Sequence, residues 1–253
     1  MPDVDEYAPG YFCWIELSTN DDGGAKKFYS SLFGWSVKEV PIPGGVYNMM
    51  QIRDRTVAAI MQNAQAPVAW LSYVSTDSVD ESANNVKKLG GNLIVPPMDA
   101  MEAGRFAVFT DPQGAALALW QGRNTKGLGV TGETGALAWV ELATRDTAAA
   151  KNFYTSLFGW TTKTSQDSSM EYTEWHIGER GIGGMFQIRP DMGNFPPCWL
   201  PYFMVDDVDA SAKKAESLGG KVHMGPTDIP NVGRFATLSD PQGAMFYTFK
   251  PKM

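Results

Sequence analysis

The chain has 253 residues, of which 43% are hydrophobic and 19% are charged, and it carries a net charge of −7. This length and composition predict one large domain or two ordinary ones with a hydrophobic core, and they exclude a disulfide-rich miniprotein. The acidic balance argues against nucleic acid as a partner. Because no run of 18 apolar residues and no basic, apolar leader occur, we expect a cytoplasmic protein with no membrane span.

The first part of the chain predicts a strand, a helix and three further strands. Residues 12–18 alternate between the two faces of a strand. The next apolar residues follow helical spacing over 25–33, where Asp21 and Asp22 precede the helix and Gly34 ends it. Three short strands are then expected at 36–40, 46–53 and 56–62.

The same order follows immediately. A strand is predicted at 69–75 and a helix from Ser78 to Leu89, which a glycine pair ends. The last strands are expected at 92–96, 105–110 and 115–121. An Asp-Pro-Gln-Gly sequence at 111–114 joins the final two strands with the residues that a tight turn requires. Each half of the chain therefore predicts two βαβββ units.

The second half of the sequence repeats the first. Residues 14–35 return at 139–160, and residues 104–115 return at 233–244. A four-residue insertion near 189–197 accounts for the difference in spacing and is interpreted as a surface loop. We predict two homologous domains, 8–122 and 135–253, with four βαβββ units in total, joined by a glycine-rich linker at 123–134.

One face of each predicted sheet is expected to form a cup. A single helix per unit covers only the outer face, so the concave inner face must enclose something or meet a partner. On the strand at 12–18, Trp14 and Glu16 share the concave face. Trp139 and Glu141 occupy the same places in the second half. Function is therefore expected inside the cups.

The sequence resembles the vicinal oxygen chelate superfamily in three features. These are the helix ending Phe-Tyr-x-x-Leu-Phe-Gly-Trp, the Asp-Pro-x-Gly turn and the paired βαβββ units. This superfamily contains glyoxalases, bleomycin-resistance proteins and extradiol dioxygenases. The resemblance covers nearly the whole chain and is greatest to two-domain bacterial glyoxalase-like proteins. It implies an α+β fold of two homologous glyoxalase-like domains, in which curved mixed sheets form the cups and the helices lie outside. It does not define the reaction, since one fold hosts many chemistries.

The metal enzymes of this superfamily hold one divalent ion in the cup through His or Glu on the first, fourth, fifth and eighth strands. Here the first-strand position falls on Trp14 and Trp139, which cannot bind a metal. The remaining positions fall on Ile60, Met185, Leu71, Leu200, Ala118 and Tyr247. We therefore expect no metal cofactor. The alternative is one divalent ion in the second domain, held by Glu141, Glu174 and His176.

Three residues are candidates for catalysis: Glu16, Glu141 and His176. A carboxyl group in a pocket with tryptophan walls has a raised pKa, which suits proton transfer or binding of a polar ligand group. A purely structural role for each of the three is the competing interpretation. The candidate ligand-binding residues are Trp14, Tyr47, Gln51, Trp70, Trp120, Trp139, Tyr172, Glu174, Trp199 and Tyr247.

The leading hypothesis is a protein that binds a small aromatic or amphipathic organic molecule without a metal, as antibiotic-sequestering members of the superfamily do. The alternatives are a metal-dependent isomerase, lyase or dioxygenase, and a non-catalytic protein that acts through protein contacts. The pairs Ala118 and Tyr247, and Gln51 and His176, predict that the two cups differ chemically. Because one chain holds four units, a monomer can complete its own sites, and a homodimer remains open.

Overall fold

The structure is a computed structural model that describes residues 5–165 and 171–252. Domain 1 consists of β1 (Phe12–Thr19), α1 (Asp22–Phe33), β2 (Ser36–Ile42), β3 (Gly45–Ile52), β4 (Arg55–Gln62), β5 (Ala69–Ser75), α2 (Val79–Lys88), β6 (Asn92–Ala100), β7 (Gly104–Thr110) and β8 (Ala116–Gly122). Each predicted element of this half is present, with ends that differ by a few residues.

Domain 2 repeats this order with one added short 3-10 helix, Pro190–Met192, before its fifth strand. Its elements are β9 (Leu137–Thr144), α3 (Thr147–Phe158), β10 (Thr161–Ser165), β11 (Tyr172–Ile177), β12 (Arg180–Gln187), β13 (Cys198–Met204), α4 (Val208–Ser217), β14 (Lys221–Ile229), β15 (Gly233–Ser239) and β16 (Met245–Pro251). Among the described residues, no helix is long and apolar enough to cross a membrane.

Each domain contains one curved sheet of eight strands. The strand order is β2-β3-β4-β1-β5-β8-β7-β6 in domain 1 and β10-β11-β12-β9-β13-β16-β15-β14 in domain 2. At the centre of the first sheet, β1 pairs with β4 in parallel and with β5 in antiparallel orientation. The predicted α+β fold of four βαβββ units, with mixed sheets and outer helices, is confirmed.

The repeated helix has the same ends in both domains. The Asp21 carboxylate accepts a hydrogen bond from the Gly24 N–H group at 2.9 Å, so it caps the first turn of α1. Gly34 ends the helix with φ 76°, a left-handed conformation that favours glycine. Asp146 and Gly159 do the same for α3. These caps explain why the helix signal was clear in the sequence.

The two domains pack through the convex sides of their sheets, and the contacts are reciprocal. The Tyr29 hydroxyl of α1 donates to the Asp240 carboxylate of domain 2 at 3.1 Å. The Tyr154 hydroxyl of α3 donates to the Asp111 carboxylate of domain 1 at 3.0 Å. Both aspartates begin the repeated Asp-Pro-Gln-Gly turns and are buried. The turn of one domain therefore receives the helix of the other.

The segment predicted as a linker is packed against domain 1. Leu128 and Val130 are fully buried. The Leu128 N–H donates to the Cys13 carbonyl at 2.7 Å, and the Gly129 N–H donates to the Thr56 carbonyl at 2.7 Å. The glycines of this segment allow its backbone to approach the backbone of domain 1 closely. The composition of the segment had indicated flexibility instead.

The two cysteines, Cys13 and Cys198, carry free thiols. Cys13 is buried and Cys198 is partly exposed. Burial raises the pKa of the Cys198 thiol to about 12, so it stays protonated at neutral pH. Neither residue is poised as a nucleophile.

Candidate functional site

In domain 1, the concave face carries a chain of hydrogen bonds that ends on a carboxylate. The Trp14 indole N–H donates to the Tyr47 hydroxyl at 3.0 Å. The Tyr47 hydroxyl donates to Glu16 Oε2 at 2.5 Å. Tyr73, on the neighbouring strand β5, also hydrogen-bonds to Glu16. Strands β3, β1 and β5 therefore direct polar groups to one carboxyl group.

The cup of domain 2 repeats this arrangement and adds a third tyrosine. The Trp139 indole donates to the Tyr172 hydroxyl at 3.0 Å. The Tyr202 hydroxyl donates to Glu141 Oε2 at 2.9 Å. Tyr172 and Tyr247 hydrogen-bond to the same carboxyl group. Glu141 thus lies beneath three phenol hydroxyls.

Burial gives Glu141 an unusual protonation equilibrium. Burial of the Glu141 side chain raises its pKa from 4.5 to about 7. The hydrogen bonds from the tyrosines oppose that rise. Burial also raises the pKa of Glu16, against hydrogen bonds from Tyr47 and Tyr73. Burial raises the pKa of Tyr202 well above 10, so its phenol stays neutral. Near neutral pH, Glu141 can therefore either donate or accept a proton.

The two cups differ in how completely the carboxyl is covered. The Tyr247 ring stacks on Tyr202 with centroids 4.1 Å apart, and Glu141 is 6% exposed. In domain 1 the counterpart of Tyr247 is Ala118, and Glu16 is partly exposed. The cup of domain 2 is thus lined with one more aromatic ring than the cup of domain 1.

Sequence reasoning missed Tyr73 and Tyr202. These tyrosines occupy equivalent places on the fifth strand of each domain, 129 residues apart. That repeat equivalence was a signal in the sequence. Sequence reasoning also missed Phe195, which the insertion before β13 places against the cluster of Leu200, Tyr202 and Tyr247.

The expectation that Trp70 and Trp199 line the cups needs correction. Their side chains point to the convex side of the sheet, where both are buried between the domains. The Trp70 indole donates to the Tyr29 hydroxyl at 3.1 Å, and the Trp199 indole donates to the Tyr154 hydroxyl at 2.9 Å. They support the reciprocal domain contact and are not available to a ligand in either cup.

Trp120 and Gln51 lie at the margins of the first cup. Trp120 packs edge-on against Tyr73, with ring centroids 6.4 Å apart, and its indole donates to the Thr125 carbonyl. The Gln51 amide donates to the Asp54 carbonyl at 3.2 Å, within its own hairpin. Both residues therefore have structural partners.

In domain 2, His176 and Glu174 form a pair of their own. His176 Nε2 lies 2.9 Å from Glu174 Oε2. The His176 ring is buried, and the Glu174 side chain is 47% exposed. Glu141 instead takes its hydrogen bonds from tyrosines.

The donor groups in the cups do not fit a divalent ion. Across residues 5–165 and 171–252, no three His, Cys, Asp or Glu side chains come together as a metal-binding group. Glu141, Glu174 and His176 therefore do not form a ligand set. At the first-strand positions, Trp14 and Trp139 present indole N–H groups, which donate hydrogen bonds and offer no lone pair to a metal.

Comparison with known proteins identifies the family. A sequence profile of the Glyoxalase/Bleomycin resistance protein/Dioxygenase superfamily matches residues 12–119 and 136–247. A Mycobacterium tuberculosis protein, provisionally named glyoxylase CFP32, is 41% identical over 99% of this chain and 98% of its own length. The anthracycline biosynthesis protein DnrV of Streptomyces peucetius is 36% identical over 95% of this chain and 93% of its own.

Solved structures share the fold at low sequence identity. The Mn(II)-bound glyoxalase from Novosphingobium aromaticivorans is 14% identical, with a TM-score of 0.66 over 95% of this chain and 82% of that chain. The 2,3-dioxygenase LapB from Pseudomonas sp. KL28 is also 14% identical, with a TM-score of 0.66 over 97% of this chain and 94% of that chain. The profile match over both halves and the 41% identical relative lead to one conclusion: the chain belongs to the Glyoxalase/Bleomycin resistance protein/Dioxygenase superfamily.

Proposed function

We propose that the cup of domain 2 binds a small aromatic or amphipathic organic molecule through Glu141 and its tyrosines, without a metal ion. The observation that carries this proposal is the buried carboxyl, with its pKa raised to about 7, beneath the hydroxyls of Tyr172, Tyr202 and Tyr247. Ligand sites typically combine apolar and aromatic walls with a few polar groups. This cup has both.

The chemistry of the cup favours a ligand with a ring and a polar oxygen. Trp139 and Phe195 are partly exposed and supply apolar surface beside the carboxyl. A protonated Glu141 donates to a carbonyl or phenolate oxygen, and an ionised Glu141 accepts from a hydroxyl. A relative named for anthracycline biosynthesis, similar along almost its full length, is consistent with an organic ligand.

Binding without a metal is supported by the residues at the first-strand positions. Trp14 and Trp139 hold tyrosines by donating hydrogen bonds, where metal-binding members would carry a ligand. The hydroxyls of those tyrosines then occupy the lone pairs of Glu16 and Glu141. A metal ion would have to displace these hydrogen bonds.

The test is a screen of hydroxylated aromatic molecules and quinones by quenching of tryptophan fluorescence, with and without a chelator. We expect a ligand whose Kd the chelator leaves unchanged. Glu141→Gln is expected to weaken its binding about tenfold, which corresponds to about 1.4 kcal/mol. Glu216→Gln, which alters an exposed carboxyl on helix α4 of the same domain, serves as the matched control. Binding that needs an added divalent ion would contradict the proposal.

A second candidate function is acid–base catalysis in the same cup. The specific observation in its favour is the pKa of Glu141 near neutrality, since a proton-transfer group works best when its pKa is close to the working pH. If a bound ligand is converted, the rate should change with pH around 7. Glu141→Gln should then abolish turnover more strongly than it weakens binding.

A further inference from the structure

The second cup is filled by two aromatic side chains that the first cup lacks. Tyr247 lines the cup from β16, and Phe195, from the insertion before β13, packs on the same cluster. At the offset of 129 residues, domain 1 has Ala118 and Ala66 in their places. Two methyl groups therefore stand where domain 2 has two rings.

The lining of the first cup is more exposed than the lining of the second. Four of its residues, all within the described range 5–165, are partly exposed: Glu16, Met61, Leu71 and Val108. The equivalent residues of domain 2 are all buried: Glu141, Phe186, Leu200 and Thr237. The same four positions thus form a closed surface in one domain and an accessible surface in the other.

Strand pairing connects this exposure to the missing ring. Val108 pairs with Ala118 on β8, and Thr237 pairs with Tyr247 on β16. Beside the Tyr247 ring, Thr237 is 7% exposed, whereas beside the methyl group of Ala118, Val108 is partly exposed. The surface that a ring covers in domain 2 is therefore available to a ligand in domain 1.

The polar groups of the first cup also differ from those of the second. Glu16 is partly exposed, so a ligand can reach its carboxyl group directly. Where domain 2 has the acidic Glu174 beside His176, domain 1 has the neutral Met49 and Gln51. Methionine is flexible and adapts to the shape of a bound molecule. The first cup therefore surrounds the Glu16 carboxyl with apolar surface.

We propose that the cup of domain 1 is a second, separate ligand site, which takes an uncharged molecule of two fused rings with a hydroxyl or carbonyl oxygen. The two rings occupy the room that the Tyr247 and Phe195 rings fill in domain 2, and the oxygen hydrogen-bonds to Glu16. A concave apolar surface with one central polar group is the usual form of a small-molecule site. This site does not depend on the one proposed for domain 2.

Two methionines provide a direct readout of this cup. The Tyr47 hydroxyl reaches Glu16, so Tyr47 faces the cup. Met49 lies two residues further along β3, and Met61 pairs with Tyr47 from β4, so both share that face. Met245 packs on the cluster of the second cup and reports on that cup separately.

The experiment labels the methionine methyl groups of the full chain with carbon-13 and follows them by NMR while 2-naphthol, an uncharged two-ring phenol, is added. We expect saturable shifts of the Met49 and Met61 methyl groups with a Kd below about 1 mM. Phenol itself should bind at least fivefold more weakly, because its single ring buries less of the apolar lining. Shifts confined to Met245 would place binding in domain 2 alone and overturn the proposal.

Two variants test the site. Ala118→Tyr supplies the ring found in domain 2 and should weaken binding of 2-naphthol at least tenfold. Glu16→Gln should weaken it at least fivefold, because an amide offers one acceptor oxygen where a carboxylate offers two, and the neighbouring tyrosines compete for it. Glu16→Gln nearly conserves the side-chain shape, so it decides the test if a tyrosine at the buried Ala118 disturbs folding.

Glu216→Gln, on helix α4, is the control and should leave the Kd unchanged. Three results would each overturn the proposal: no saturable shift of the Met49 and Met61 methyl groups, equal affinity for phenol and 2-naphthol, or an unchanged Kd in Glu16→Gln or in a folded Ala118→Tyr.

Discussion

At the scale of single residues, the protonation of Glu141 has a consequence for folding. Its pKa rises from 4.5 to about 7 because the side chain is buried, so the folded chain binds this proton more tightly than the unfolded chain. The resulting stabilisation is complete below pH 4.5 and is lost as the pH rises through about 7. The shift corresponds to about 3 kcal/mol.

Glu141→Gln removes the ionisation and should flatten this part of the pH dependence. We expect the difference in unfolding free energy, variant minus wild type, to increase by about 3 kcal/mol from pH 4.5 to pH 8. Urea denaturation at a series of pH values measures it. Glu216→Gln, at an exposed carboxyl of helix α4, is the control and should follow the wild type. A difference that is the same at both ends of the range would show that folding does not raise the pKa of Glu141.

Tyr202→Phe tests the hydrogen bond to that carboxyl. The Tyr202 hydroxyl donates to Glu141 at 2.9 Å and thereby favours the ionised form. Removing it should raise the pKa of Glu141 further above 7, which titration of the carboxyl carbon by NMR would detect. Tyr47→Phe, which removes the hydrogen bond to Glu16 in the cup of domain 1, should not move the titration of Glu141. An unchanged or lower pKa in Tyr202→Phe would contradict the proposed network.

At the scale of the elements, strand alternation predicted some site residues and not others. On β1, Ile15 and Leu17 are fully buried on the convex side, so Trp14 and Glu16 face the cup as the sequence indicated. Helices α1 and α3 were predictable because Asp and Gly caps mark their ends.

On β5 the same reasoning failed. Trp70 and Tyr73 lie on opposite faces of the strand, yet both are about 5% exposed. A strand that is buried on both faces loses its apolar–polar alternation, so the sequence does not show which face is the cup. The packed connecting segment was missed for a related reason, because glycine marks close backbone contact as well as flexibility.

One glycine of β12 makes room for the hydrogen-bond network of the second cup. A Cβ atom on Gly184 would overlap the Tyr172 hydroxyl. Gly184→Ala should therefore displace the Tyr172 ring from Trp139 and Glu141, with a stability loss of about 1–3 kcal/mol. The measurement is chemical denaturation together with the emission of the tryptophans.

Gly225→Ala is the matched control for this change. Gly225 also lies in a strand, β14, and a Cβ atom there meets nothing within 4 Å. We expect its stability to stay within about 0.5 kcal/mol of the wild type. If Gly184→Ala behaved like the control, Tyr172 would not be held over Glu141 as described.

At the scale of the whole molecule, two buried tyrosine–aspartate hydrogen bonds help to join the domains. Tyr154→Phe removes the donor to the buried Asp111 and should destabilise the chain by about 1–3 kcal/mol. Tyr29→Phe should cost a similar amount at Asp240. Urea unfolding of the single and double variants checks both the size and the additivity.

An exposed hydrogen bond from the connecting segment to domain 2 provides the comparison. The Thr134 hydroxyl donates to the Asp206 carboxylate at 2.6 Å, but this bond is open to water. Thr134→Val should therefore change stability by less than about 0.5 kcal/mol. Equal effects of Thr134→Val and Tyr154→Phe would show that burial of the tyrosine–aspartate pairs contributes nothing.

The reciprocal tyrosine–aspartate contact has the form of an isologous interface, the kind that two identical subunits make around a two-fold axis. Here the two partners are halves of one chain, and each gives the same helix and receives it with the same turn. The contact uses the convex sides of the sheets, whereas the cups are their opposite, concave sides. The contact between the domains and the proposed ligand binding therefore use separate sets of residues. A cup could exchange Ala118 for Tyr247 during divergence of the halves without disturbing the interface that holds them together.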